Sequence, residues 1–82
     1  MPHLYILLCK DGTYYTGCAT NLEARLKQHQ SGVGAKYTRG RRPVELVYSE
    51  EHDSLADAMR RENQLKRWPK KRKKELIEKK SE

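Results

Sequence analysis

Five side chains in this 82-residue chain are of types that do chemistry: Tyr5, Tyr15, Arg25, His29 and Glu62. Tyrosine and histidine move protons, arginine grips oxyanions through a planar fork of donors, and glutamate holds divalent cations. Each alone is unremarkable, since a tyrosine in a strand is ordinarily packing and an arginine on a helix ordinarily solvated. Placement singles them out. Arg25 and His29 stand i, i+4 on the helical side that carries Leu22 and Leu26. Glu62 falls on the stripe made by Leu55, Ala58, Met59, Leu65 and Trp68 at helical spacing. A carboxylate facing a core is costly unless it is paired or coordinates a metal. Glu62 therefore either pairs at the stripe's edge with Arg61, Lys66 or Arg25, or faces a polar pocket that holds a divalent cation. Mg²⁺ suits the second case, because it takes one or two carboxylates, keeps several waters and completes its shell with phosphate oxygens.

The elements that must position these groups are legible locally. Leu4–Cys9 is an apolar run of strand length, Lys10-Asp11-Gly12 a turn, and Thr13–Cys18 the returning strand. A two-residue Asp11-Gly12 loop would put Tyr5 and Tyr15 on opposite faces. A three-residue loop, with Gly12 left-handed in a bulge, pairs Leu7 with Tyr15 and Tyr5 with Gly17, and both tyrosines then share a face. The three-residue loop is preferred; it leaves open space at Gly17 beside the Tyr5 phenol and turns Tyr14 the other way as packing. Thr20-x-x-Glu23 reads as a capping box opening a helix that ends near Gly32. Residues 31–42 read as a basic, glycine-bearing loop, and Val44–Ser49 as a third strand. A Ser54 cap opens a helix to about Trp68, and Pro69 opens a basic helix over about 69–80. The expected fold is α+β, ββαβαα, with a three-stranded sheet flanked by helices in a single domain over 1–82.

Composition narrows the partner. Residues 1–60 carry 8 basic and 7 acidic side chains, residues 61–82 carry 10 and 4, so the tail holds most of the net charge of +7. A localised basic excess points to a polyanion, most often nucleic acid. Two basic groups would contact its backbone: Lys36, Arg39, Arg41 and Arg42 after the first helix, and Lys66, Arg67, Lys70, Lys71 and Arg72, continued by Lys73 and Lys74. The longest apolar run, six residues, is far too short to span a bilayer. Two cysteines make no disulfide framework, and the N-terminus shows no signal peptide; a cytoplasmic protein is expected.

With these residues in place the chain resembles the GIY-YIG nuclease family. Its two short motifs, about ten residues apart, read here His3-Leu4-Tyr5 and Tyr15-Thr16-Gly17. Arg25 in "NLEARL" matches the family's first-helix arginine, His29 a histidine common about a turn later, and Glu62 in "RRENQLK" the metal-binding glutamate. The spacing is similar to that in the incising subunit of bacterial nucleotide excision repair and in intron homing endonucleases. "GAKYTRGRRPVELVY" and "ENQLKRWPKKRKKELI" resemble a small, stand-alone bacterial branch. Departures are His3-Leu4 for Gly-Ile, Thr16 for Ile, and Cys18 where some relatives place a basic residue.

The resemblance implies phosphodiester hydrolysis with one Mg²⁺ or Mn²⁺ held by Glu62. Arg25 would offset transition-state charge, and either Tyr5 or His29 would serve as base, assisted by Tyr15. DNA is expected ahead of RNA, with no organic cofactor and, since no appended DNA-binding domain is seen, with target specificity that is either low or supplied by a protein partner. A non-catalytic nucleic-acid-binding module of the same fold is the alternative, and an adaptor using the basic tail on an acidic protein is a third class.

Overall fold

The computed structural model describes residues 1–81. Strand β1 (His3–Cys9) lies between β2 (Tyr14–Ala19) and β3 (Val44–Glu51), antiparallel to both. Helix α1 (Leu22–Ser31) and a one-turn α2 (Lys36–Arg39) separate β2 from β3; α3 (Leu55–Lys66) and α4 (Lys70–Ser81) follow. This is the expected α+β fold with one addition. The 31–42 segment contains the short α2, whose first turn is closed by Thr38 N–H and Arg39 N–H donating to the Ala35 carbonyl at 3.1 and 3.2 Å.

The hairpin has the three-residue loop. Gly12 N–H donates to the Cys9 carbonyl and Cys9 N–H to the Thr13 carbonyl, both at 2.9 Å, and Gly12 has φ of +84°. Tyr5 consequently faces Gly17, and Leu7 faces Tyr15. Alternation then divides the sheet. Tyr5, Leu7 and Cys9 pack with Ala19, Val44, Tyr15 and the α1 residues Leu22 and Leu26. Leu4 and Ile6 pack on the other face with Tyr48 and Leu65, bordered by Tyr14, Trp68, Leu76 and Ile77. The run "LYILLC" is continuous because its strand is central and covered on both faces, so it has no solvent side to mark with polar residues.

Two local expectations are corrected. Asn21, not Thr20, caps α1, its side chain accepting from Ala24 N–H at 3.0 Å. An asparagine one residue later reaches the third helical amide equally well, so it sets the start. The α3 stripe is also narrower than its periodicity suggests. Ala58 and Leu65 are fully buried, whereas Leu55 is 41% and Met59 50% exposed. The helix rests on the sheet through Ala58 and Leu65, and the small sheet offers no surface for Leu55 and Met59. Trp68 lies past the helix end, with the Arg72 guanidinium 4.0 Å over its ring. Among the described residues, no helix is long and apolar enough to cross a membrane.

Candidate active site

Helix α1 ends in a glycine cap at Gly32, φ +89°, whose N–H bonds back to the Gln28 and His29 carbonyls. That length delivers His29, in the last turn, to the face of the sheet where Tyr5 and Tyr15 lie. His29 is fully buried, and its Nε2 stands 2.9 Å from Tyr5 Oη. The ring centroids of Tyr15 and His29 are 5.3 Å apart, and those of Tyr5 and Tyr15 6.4 Å. Tyr37 from α2 stacks on Tyr15 at 5.8 Å and carries the Arg41 guanidinium 4.0 Å over its ring.

Glu62 comes from the opposite layer. Its Oε1 accepts from the Cys18 thiol at 3.0 Å and its Oε2 meets Lys66 Nζ at 2.6 Å. Cys18 points to the α3 side of edge strand β2, yet the Glu62 charge reaches both phenols on the far side. Arg25, exposed on α1, acts on the same phenols with opposite sign. The cluster therefore wraps the edge of β2 at the point where Gly17 has no side chain. Of the pairings open to Glu62, the structure realises the one with Lys66; Arg61 turns instead to Glu50, Nε to Oε1 at 2.9 Å. Lys66 is half-exposed and Glu62 mostly covered, so the lysine is the partner free to swing away.

Burial sets the protonation states. It raises the Tyr5 phenol far above its ordinary value, reinforced by the Tyr15 phenol and opposed by Arg25. Burial, then the Arg25 charge, lowers the His29 imidazole below its usual range, so it is neutral near pH 7. Burial and the Glu62 hydrogen bond push the Cys18 thiol up to about 11, leaving it a protonated donor. The five groups thus combine a neutral proton acceptor, a protonated phenol bonded to it, a second protonated phenol, a cation and a carboxylate.

Could the cluster hold a metal? Among the described residues no three His, Cys, Asp or Glu side chains converge on one point. A single carboxylate suits an ion that keeps its waters and borrows phosphate oxygens, as Mg²⁺ does. Glu62 fits that role, provided Lys66 releases one oxygen.

Gly17 is a tight point. A Cβ there would stand 2.8 Å from Tyr5 Oη, 2.9 Å from its Cζ and 3.1 Å from a Tyr15 ring carbon. Tyr5 is walled in and cannot retreat. Gly17→Ala is expected to cost about 1–3 kcal/mol by overpacking and to disturb the Tyr5–His29 bond. Denaturant unfolding checks this; a variant as stable as the wild type contradicts the geometry.

The basic residues divide. Lys36, Arg39, Arg67, Lys71 and Arg72 are exposed. Lys70 lies over the Tyr14 ring. Arg41 and Arg42 hold the α2 loop: Arg41 Nε donates to Asp11 at 2.9 Å and Arg42 Nη1 to the Gln30 carbonyl at 3.2 Å. Three residues touching the cluster escape a sequence reading: Thr38, Cys18 as a Glu62 partner, and Tyr37. Only the i, i+1 neighbours in "KYTRG" hinted at Tyr37 and Thr38, and nothing local tied them to His29.

Comparison with known proteins fits this geometry. Residues 1–75 match the family model described as the GIY-YIG catalytic domain. A UPF0213 protein of Halobacterium salinarum is 49% identical over 94% of this chain and 100% of its own length. One from Staphylococcus haemolyticus is 50% identical, covering 93% of each. A solution NMR structure of a UPF0213 protein from Bacillus halodurans superposes with a TM-score of 0.61 at 46% identity, covering 95% of this chain and 84% of that one. A second, from E. faecalis, gives 0.63 at 37%, covering 94% and 82%.

Proposed function

Because this chain belongs to the GIY-YIG family, a family of nucleases, we propose that it is a metal-dependent endonuclease that hydrolyses phosphodiester bonds in nucleic acid, DNA ahead of RNA. The observation that carries the proposal is the buried Tyr5 Oη–His29 Nε2 hydrogen bond, with the Glu62 carboxylate across the β2 edge from it. Structural packing alone needs neither a buried phenol bonded to a buried imidazole nor a half-buried glutamate at the same sheet edge.

Glu62 would hold one Mg²⁺ or Mn²⁺, which when bound supplies Lewis-acid polarisation of the scissile phosphoryl group and stabilises the leaving oxygen. The chain's own residues do the rest. Tyr5 passes its phenolic proton to His29 Nε2 and takes one from the attacking water, so no free phenolate has to persist in a buried site. The hydroxide oxygen then bonds to phosphorus as the bond to the leaving oxygen breaks. Arg25 offsets the charge that develops on the phosphoryl oxygens. Tyr15 closes the side of the His29 ring. The exposed Lys36, Arg39, Arg67, Lys71 and Arg72, with Lys66 and Lys70, would contact the backbone, positioning a strand without reading its sequence. No organic cofactor is needed for this chemistry.

Neutral His29 is the proton acceptor, so the cleavage rate is expected to fall as pH drops through the imidazole's folded pKa. Burial and Arg25 depress that pKa, so the acid limb lies below the ordinary histidine value of about 6.5 and the rate is flat around pH 7. Single-turnover rates between pH 5 and 8 check this; a limb centred above the ordinary value removes His29 from the role.

One observation favours a second reading, a non-catalytic binding module. Both Glu62 oxygens already have internal partners, Cys18 and Lys66. The separating experiment is cleavage of single-stranded, duplex, nicked and branched substrates with Mg²⁺, with Mn²⁺ and with EDTA. Metal-dependent cleavage of any of these supports the nuclease. Salt-sensitive binding without cleavage supports the module.

A further inference from the structure

Behind the Tyr5–His29 pair lies a third buried group that the proposed chemistry has not used. His29 Nδ1 is 2.8 Å from Thr38 Oγ1, and Thr38 Oγ1 is in turn 3.0 Å from the Ala35 carbonyl. His29 and Thr38 are both fully buried, so water does not substitute for either partner. The α2 turn presses against the imidazole closely. A Cβ at Gly34 would stand 2.5 Å from His29 Nδ1 and 2.9 Å from its Cγ, so glycine is what lets the loop seal the ring.

Counting protons decides the direction of the chain. Neutral histidine has one ring donor and one ring acceptor. Among the described residues, the hydrogen-bond partner of Tyr5 Oη is His29 Nε2. If Nε2 carried the proton, the buried Tyr5 hydroxyl hydrogen would have no acceptor. If Nδ1 carries it, every proton lands: Tyr5 O–H on Nε2, Nδ1–H on Thr38 Oγ1, and Thr38 O–H on the Ala35 carbonyl. The loop that supplies Thr38 is pinned independently, by Arg41 Nη1 donating to the Tyr37 carbonyl at 2.7 Å and Arg42 Nε to the Arg39 carbonyl at 3.1 Å.

We propose that Thr38 is the positioning residue that holds His29 in its Nδ1–H tautomer, keeping Nε2 unprotonated and aimed at Tyr5. The proposal deepens the nuclease reading and rests on it for its catalytic meaning. The catalytic contact belongs to His29; Thr38 acts through it, and its side chain is useful only as an oxygen whose own hydrogen is already committed elsewhere. Thr38→Val removes that oxygen at nearly constant volume. The Nδ1 proton then loses its buried acceptor, so the Tyr5 bond alone favours the Nδ1–H form and the Nε2–H form, which cannot accept from Tyr5, gains population.

The test reads the tautomer directly. Nitrogen NMR of the imidazole rings distinguishes Nδ1–H from Nε2–H, and His29→Gln identifies the His29 signals against those of His3 and His52. The wild type and Thr38→Ser are expected to show Nδ1–H at neutral pH, and Thr38→Val a raised Nε2–H population. Cleavage should follow, with kcat falling about 10-fold or more in Thr38→Val, KM within about twofold, and Thr38→Ser restoring most of the rate. A thermal melt establishes that the variant is folded; if Thr38→Val is not, Thr38→Ala is measured in its place. An Nε2–H tautomer in the wild type overturns the proposal, as does an unchanged tautomer in a folded variant that lacks the hydroxyl. If no protein cleaves any substrate, the nuclease reading fails while the tautomer result still decides what Thr38 does.

Discussion

Replacing Glu62 by Gln is expected to reduce metal-dependent cleavage by about a thousandfold or more while leaving the fold intact. Glu62 is the carboxylate of the cluster, and Gln keeps its shape but not its charge. A bound ion contributes several kcal/mol of transition-state stabilisation, and each 1.36 kcal/mol is tenfold in rate, so losing the ligand costs about three orders of magnitude. Stability should change little. The Lys66 pair is half-exposed on the lysine side, and such pairs contribute about 0–1 kcal/mol. The amide oxygen still accepts from the Cys18 thiol. Three measurements check this: cleavage rate, Mn²⁺ affinity by electron paramagnetic resonance or calorimetry, and unfolding. Cleavage at the wild-type rate with Mg²⁺ would remove Glu62 from the metal site and the mechanism with it.

Tyr5→Phe carries the second large effect. The change deletes one oxygen that touches His29 Nε2 and lies against Gly17. It breaks the proton path between water and His29, so the rate constant of the chemical step should fall by about 10²–10⁴, the range for a positioned acid or base. It also leaves a buried imidazole nitrogen without its partner, at about 1–3 kcal/mol of stability. Substrate affinity should stay within about twofold, because in the proposed mechanism the exposed basic residues, not the phenol, contact the backbone. Single-turnover kinetics and binding measured on one preparation separate the two. A full-rate Tyr5→Phe would mean that water passes its proton elsewhere. Weakened binding at unchanged rate would turn Tyr5 into a substrate contact.

These effects depend on features that were unequally legible in the sequence. The hairpin register was readable because it is a local matter: a glycine able to adopt φ of +84° after Lys10-Asp11 sets the bulge, and alternation then puts Tyr5 and Tyr15 on one face. Arg25 and His29 were readable as a pair because helical spacing is short-range. Glu62 stood out as a charge interrupting an apolar stripe. The buried stripe is narrower than its periodicity, since periodicity shows which residues share a face and not how much surface the opposing layer provides; Leu55 and Met59 extend past it. Residues 31–42 read as a loop, because a four-residue helix has no room for periodicity.

By itself, then, the sequence determined the order of the three strands and the three longer helices, the shared face of the two tyrosines, the histidine a turn beyond the arginine, and the basic tail. All of these follow from backbone torsion, side-chain alternation and composition, which act over a few residues. Only the tertiary structure decided who touches whom. It chose Lys66 and Cys18 as the partners of Glu62, sent Arg61 to Glu50, and committed Arg41 and Arg42 to holding the α2 loop. It also brought Thr38 onto His29 across nine positions and Tyr5 across twenty-four. Those choices depend on how two helical layers close around a three-stranded sheet and on which polar atoms burial leaves in need of partners, and no local pattern carries that information.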